Sequence, residues 1–188
     1  VENDTLLAEY TVNYKKTHSQ TLLPMLDEIS NMTELDLSTI DAIAVAGGPG
    51  SFTGLRIGSA TAKGLGLALE KPLISIPTTA AIAYNIWDTN KFVCPIMDAR
   101  RNQVYTGVYC YTDHRLDTVW EQDTMSIEAL AEGLNCLDHE VIFLGDGVAV
   151  YREKLEALLT IPFSFAPAHV NRQRAAAVGA LAEVYYKE

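Results

Sequence analysis

The chain has 188 residues, 48% of them apolar, and a formal net charge of −10. That length suits one domain or two small lobes, and the apolar content excludes disorder. The acidic balance argues against this chain alone gripping a nucleic-acid backbone, leaving an RNA-linked role to a basic partner.

Glu2-Asn3-Asp4 reads as a hairpin turn, and residues 5–12 then read as a strand. A hairpin needs a strand before its turn, so at least one strand is expected upstream of Val1, where the chain opens without a methionine. Residues 18–32 are helical in pattern, with Leu22, Leu26 and Ile29 on one face and Leu23 and Met25 widening it. Pro24 places the first regular turn near Leu22 or Leu23. Residues 41–46 form a short, continuous apolar strand of the kind covered on both faces. It runs into Gly47-Gly48-Pro49-Gly50-Ser51-Phe52-Thr53-Gly54-Leu55-Arg56-Ile57-Gly58, and a helix of about residues 53–69 runs out.

Residues 72–76 are the next strand, and Pro77-Thr78-Thr79 starts a helix toward Trp87. Residues 91–97 and 103–111 read as strands joined by Asp98-Ala99-Arg100-Arg101-Asn102, with a third strand around 116–121. Ser126 caps a helix, although Glu128 comes one residue early for a capping box. Residues 141–144 are a strand ending in Gly145-Asp146-Gly147, followed by helices near 148–159 and 172–186. No solenoid repeat or low-complexity linker interrupts this order, which divides into two related α/β lobes, 1–90 and 91–188. Cys94, Cys110 and Cys136 are odd in number and form no C-x-x-C, as expected of buried thiols in a reducing cytoplasm. No run reaches the roughly 20 apolar residues of a membrane span.

A glycine-rich strand-to-helix turn is a common ligand site, because backbone can approach closely and the helix offers free N–H groups. Three phosphate templates fail here. After Gly48-Pro49-Gly50 the third glycine of a dinucleotide fingerprint arrives one residue late, at Gly54. A P-loop needs Lys and Ser or Thr where Leu55 and Arg56 stand. A kinase glycine loop belongs in a hairpin. Ser51 or Thr53 can simply cap the helix. Gly54, Gly58, Ala62 and Gly66 then recur every four residues as a small-residue ridge. Each mid-helix glycine costs on the order of 1 kcal/mol relative to alanine. The ridge therefore needs a close neighbour, either this protein's own sheet or helices, or a helix of another chain.

The run from Gly48 to Gly58 resembles, residue for residue, the hallmark of the TsaB family, dimerisation subunits of the bacterial tRNA threonylcarbamoyladenosine machinery. His18-Ser19-Gln20-Thr21-Leu22-Leu23-Pro24, Asp98-Ala99-Arg100-Arg101 with Val104-Tyr105, and Gly145-Asp146-Gly147 are similar to the same family. The resemblance implies a two-lobed actin/Hsp70-like ATPase (RNase H-like) fold, with its first strands and a C-terminal tail outside this chain. The related catalytic subunit, TsaD, binds a metal through H-x-x-x-H, and counting from Lys71-Pro72-Leu73-Ile74-Ser75-Ile76 puts those positions at Thr78 and Ile82. Isoleucine cannot ligate a metal, and His18, His114, His139 and His169 lie in no metal-ligand spacing. The resemblance thus implies a cytoplasmic, non-catalytic scaffold that binds no cofactor itself. It would pair with TsaD and recruit the ATPase TsaE, with ATP and metal on those partners. The complex would support threonylcarbamoyl transfer to the adenosine beside the anticodon, with tRNA reached only through it. A homodimer is expected when the partner is absent.

The competing class is a stand-alone ATP-dependent transferase or a glycoprotease-like peptidase. His18-Ser19 is a tempting nucleophile and base, but adjacent residues seldom point at each other on a helix, and Ser19 serves better as a cap at the helix start. His18, Leu22, Leu26, Gly54, Gly58, Ala62 and Gly66 are the candidate partner surface. Leucine at Gly58 or Gly66 is expected to weaken association and leave the monomer folded. Asp98, Arg100 and Asp146 are candidates for an inter-lobe cleft, where Asp98 could hold magnesium or merely build a charged turn. Arg56 could donate to a partner carboxylate or to a neighbouring carbonyl, and Asp146 could cap a helix.

Overall fold

The computed structural model describes residues 1–13 and 18–187, with only the backbone given for residues 18–20. In chain order the elements are α1 (His18–Met32), β1 (Ile43–Gly48), α2 (Phe52–Leu69), β2 (Leu73–Pro77), α3 (Thr78–Ala83), β3 (Phe92–Arg100), β4 (Gln103–Thr112), β5 (Arg115–Ser126), α4 (Ile127–Leu137), β6 (Val141–Leu144), α5 (Val148–Leu158), β7 (Phe163–Phe165) and α6 (Ala175–Lys187). They form two compact units, Val1–Pro77 with Arg174–Glu188, and Thr78–Gln173. The boundary expected at residue 90 is therefore displaced. Helix α3 is buried throughout and packs on β3 and β4, while α6 returns to β1 and β2. Packing partners, not chain order, decide which unit each helix joins.

In the first unit, Glu2 and Thr5 exchange two backbone hydrogen bonds of 2.9 Å across Asn3 and Asp4. Both central residues have positive φ, 46° and 62°, as the expected tight turn requires. The strand expected over residues 5–12 does not form. Its alternation is right, but a strand needs a neighbour to pair its N–H and C=O groups, and none of the described residues supplies one. Leu6, Leu7, Tyr10 and Val12 stay exposed.

Side chains tether this segment instead. Glu9 accepts from the Arg174 guanidinium and, at 2.9 Å, from the Ala176 N–H at the start of α6. Burial pushes the Glu9 carboxyl up, but the Arg174 and Ala176 hydrogen bonds and the Arg174 charge outweigh it, so its pKa is lowered. A carboxyl lowered by folding stabilises above its unfolded pKa, and loses that contribution as pH falls through the folded value. We expect proteolysis within residues 5–13 to accelerate as pH drops below the ordinary carboxylate range. Glu9→Gln should be susceptible at every pH. Superimposable profiles for the two proteins would refute the tether.

Helix α1 begins at His18 rather than near Leu22, and it carries Pro24 in its interior. The ring removes one i→i−4 hydrogen bond without ending the helix. Strands β1 and β2 pair in parallel from Ile43↔Leu73 to Ala46↔Ile76, and α2 and α6 both pack on β1, as its apolar run requires.

In the second unit, five strands run in the order β5-β4-β3-β6-β7. The β3–β4–β5 portion is antiparallel, and β6 and β7 join parallel to β3. Its core gathers Ile96, Val104, Val108, Leu130, Leu134, Phe143 and Leu155, all at 0% exposure. Strand β5 extends beyond the expected 116–121, and β7, too short to carry a period, was not expected at all. Ser126 caps α4 by accepting from the Ala129 N–H at 3.1 Å. Glu128 faces elsewhere, as its spacing foretold.

Candidate functional site

The glycine-rich turn is shaped by close approach within its own unit. Gly48 has φ of 114°, which L side chains rarely adopt. A Cβ on Gly47 would collide with the Ser75 side chain. Ser51 then caps α2, accepting from the Gly54 N–H at 3.3 Å. A cleft of about 290 Å³ opens between β1, β2 and α2, lined in part by Ser59, Lys63 and Ser75. Of the glycine run only Gly47 and Leu55 reach it, so the turn does not converge on a ligand as a phosphate cradle would.

The small-residue ridge faces inward. A Cβ on Gly66 would lie 2.8 Å from Leu73 Cδ2 and 3.1 Å from the Lys71 carbonyl. One on Gly58 would meet Val45 at 3.9 Å, one on Gly54 would meet Ser51 at 3.5 Å, and Ala62 is buried. For Gly58 and Gly66, packing on the protein's own sheet is the reading these distances describe, whereas Gly54 meets only its helix's own cap. The outward face of α2 carries Phe52, Arg56, Ala60, Gly64 and Leu67, with Phe52 68% and Leu67 83% exposed. The Arg56 guanidinium lies 3.9 Å above the Phe52 ring rather than on a carboxylate. A Cβ on Gly64 would meet nothing within 4 Å. On α1, which contacts α2, Leu22 is half-buried, and Leu23, Leu26 and Met32 are exposed. The side chains of His18 and Ser19 lie outside the described residues.

The exposed row of Phe52, Gly64 and Leu67 was not singled out from sequence, which follows the denser four-residue repeat. The available signal was Gly64 itself, a helix-interior glycine outside that repeat, together with two large apolar residues on the same side.

Asp98, Arg100 and Asp146 all lie in the second unit. Asp98 builds the β3–β4 turn: its Oδ1 accepts from the Arg100 N–H at 2.9 Å and from the Tyr151 hydroxyl at 3.1 Å. Asp146 does not cap α5, whose N-cap, Gly147, makes no side-chain bond. Its Oδ1 accepts instead from the Asp98 N–H at 3.4 Å. Burial, then the bond to Asp98 and the charges of Asp98 and Glu128, raise the Tyr151 hydroxyl pKa. Asn102 donates to Glu128 at 2.8 and 3.1 Å, and Lys154 bonds both of them. The Asn102 bonds, with help from Lys154, hold the Glu128 carboxyl below its usual range.

Thr78 and Ile82, the positions to which the metal ligands were counted, are 0% and 2% exposed in α3. Next to Thr78, the Thr79 hydroxyl bonds the Tyr109 hydroxyl at 2.8 Å and donates to Gln122 at 2.9 Å. Ile82 offers no donor atom, so these residues do not fit a metal. Among the described residues no three His, Cys, Asp or Glu side chains group as a metal site. None of the described helices is long and apolar enough to cross a membrane.

Residues 5–188 match the family model described as TsaD, tRNA N6-adenosine threonylcarbamoyltransferase. Over 85% of its length the chain is 34% identical to the tRNA threonylcarbamoyladenosine biosynthesis protein TsaB of Bacillus subtilis, of which it spans 69%. It is 32% identical to the protein of the same name from Haemophilus influenzae over 78% of its length, spanning 65% of that relative. A crystal structure from Pseudomonas aeruginosa, described as an uncharacterized protein with similarity to peptidase YEAZ, superposes with a TM-score of 0.77 at 25% identity. The superposition covers 92% of this chain and 78% of that one. The mixed α/β units accordingly fit the actin/Hsp70-like fold class.

Proposed function

This chain belongs to the TsaB family of tRNA threonylcarbamoyladenosine biosynthesis proteins, and from that premise we propose that it is a non-catalytic scaffold subunit. It pairs with a TsaD-type catalytic subunit in the cytoplasm. With a TsaE-type ATPase, the pair carries out threonylcarbamoyl transfer to the tRNA adenosine beside the anticodon. ATP and metal sit on the partner subunits, and tRNA is engaged through the complex.

The observation that carries the non-catalytic reading is the burial of Thr78 and Ile82 where the catalytic relative's metal ligands are expected. A metal needs donor atoms, and this position supplies a methyl-rich side chain inside a packed core.

The surface that supports pairing is the outward face of α2 with the exposed apolar residues of α1. Phe52 and Leu67 on α2, with Leu23 and Leu26 on α1, place large apolar side chains in water in one unit. Apolar surface of this kind marks a protein–protein site. Ala60 and Gly64 between them let a partner backbone approach closely. The same face serves a homodimer when the catalytic subunit is absent. Analytical ultracentrifugation of this chain mixed with a TsaD-type subunit tests the pairing. A new, stoichiometric species is expected, and two independently sedimenting proteins would overturn it.

A further inference from the structure

We propose that Arg100 and Arg101, at the tip of the β3–β4 turn, clamp the phosphate backbone of the RNA that the complex engages; this rests on the scaffold reading above. Three successive non-glycine residues there, Arg100, Arg101 and Asn102, have left-handed φ values of 69°, 52° and 63°. Non-glycine residues in that region cost energy and persist only where their surroundings hold them.

The surroundings here are specific. Asp98 fixes the Arg100 N–H, Tyr151 fixes Asp98 and the Gln103 carbonyl, and Glu128 with Lys154 fixes Asn102. The carboxylates around the turn, Asp98, Asp146 and Glu128, are all turned to donors other than the two guanidinium groups. Both arginines are exposed, and among the described residues neither side chain has a partner.

That is unexpected in this chain, where Asp and Glu outnumber Lys and Arg by 24 to 14. Three other cations of the same unit are matched, Lys91 with Glu140, Lys154 with Glu128, and Arg152 with Glu156 and the Phe165 ring, whereas Arg100 and Arg101 form an adjacent exposed pair. Adjacent like charges on a fixed turn repel each other, and an external anion removes that repulsion. Planar guanidinium forks bind phosphate oxygens bidentately, and two in succession suit consecutive phosphates of one strand. The acidic remainder of the chain repels RNA elsewhere, so the contact positions RNA within the complex without making this chain an RNA-binding protein alone.

The test titrates an unmodified tRNA transcript into the complex of this chain with a TsaD-type subunit, across a range of salt concentrations. Wild type, Arg100→Gln/Arg101→Gln and Arg100→Lys/Arg101→Lys are compared, with complex assembly measured in parallel. Each lost phosphate contact lowers the slope of log affinity against log salt by about 1. The glutamine pair should lose about 2 from that slope, the lysine pair should keep most of it, and all three should assemble equally. An unchanged slope in the glutamine pair overturns the clamp. So does failed assembly of the glutamine pair alone, which would make the arginines a protein contact. If wild type itself fails to assemble, the scaffold reading falls and takes the clamp with it.

Discussion

Gly66→Leu is expected to destabilise the Val1–Pro77, Arg174–Glu188 unit by about 1–3 kcal/mol, the usual range for overpacking. The new Cβ alone would sit 2.8 Å from Leu73 and 3.1 Å from the Lys71 carbonyl. The second contact is backbone in the turn that ends α2, where the Lys71 N–H also donates to the Gly66 carbonyl at 2.9 Å. The Leu73 side chain can rotate away, but the Lys71 carbonyl is backbone held in the turn by that bond. Gly64→Leu, half a turn away, should do the reverse. Its Cβ meets nothing, so the unit gains up to about 1 kcal/mol from replacing a helix-interior glycine. Urea unfolding of the two variants reads both signs. Equal midpoints would show that the inward and outward faces of α2 have been confused. The expectation from sequence counted no cost to the monomer for leucine at Gly66, and these distances add one.

The second large effect lies on the outward face. Phe52→Asp combined with Leu67→Asp should weaken binding to a TsaD-type subunit by about 100-fold or more, the range in which central apolar anchors are lost. Folding should be preserved, because both side chains already face water, at 68% and 83% exposure. Circular dichroism and calorimetric titration on the same samples separate the two quantities. Binding that survives both aspartates would move the interface away from α2. Arg56 lies over Phe52, so Arg56→Ala should give a smaller loss in the same direction.

These results depend on which face of one helix a glycine occupies, and that is where sequence reading reached its limit. The helix and the strand before it were legible, and the cap was narrowed to Ser51 or Thr53, because apolar runs and capping side chains act locally. Which of two small-residue rows faces the sheet was not, because Gly66 is placed by Leu73 and Lys71 beyond the helix end. The segment 5–12 failed for a related reason. Its alternation is a local property, whereas strand pairing needs a second strand. The turn at residues 98–102 was legible as a charged connection. Its rigidity was not, since Tyr151, Glu128 and Lys154 reach it from α4 and α5, more than 25 residues away in sequence. The residue at the counted ligand position was legible directly, because isoleucine has no donor atom for a metal.

The most direct measurement is threonylcarbamoyl transfer to an unmodified tRNA transcript, assayed together with ATP turnover, for this chain alone and after adding TsaD-type and TsaE-type subunits. A scaffold shows neither activity alone, and its addition to the partners raises modified adenosine from background. Robust ATP hydrolysis by the isolated chain, or full transfer by the partners without it, would contradict the scaffold assignment.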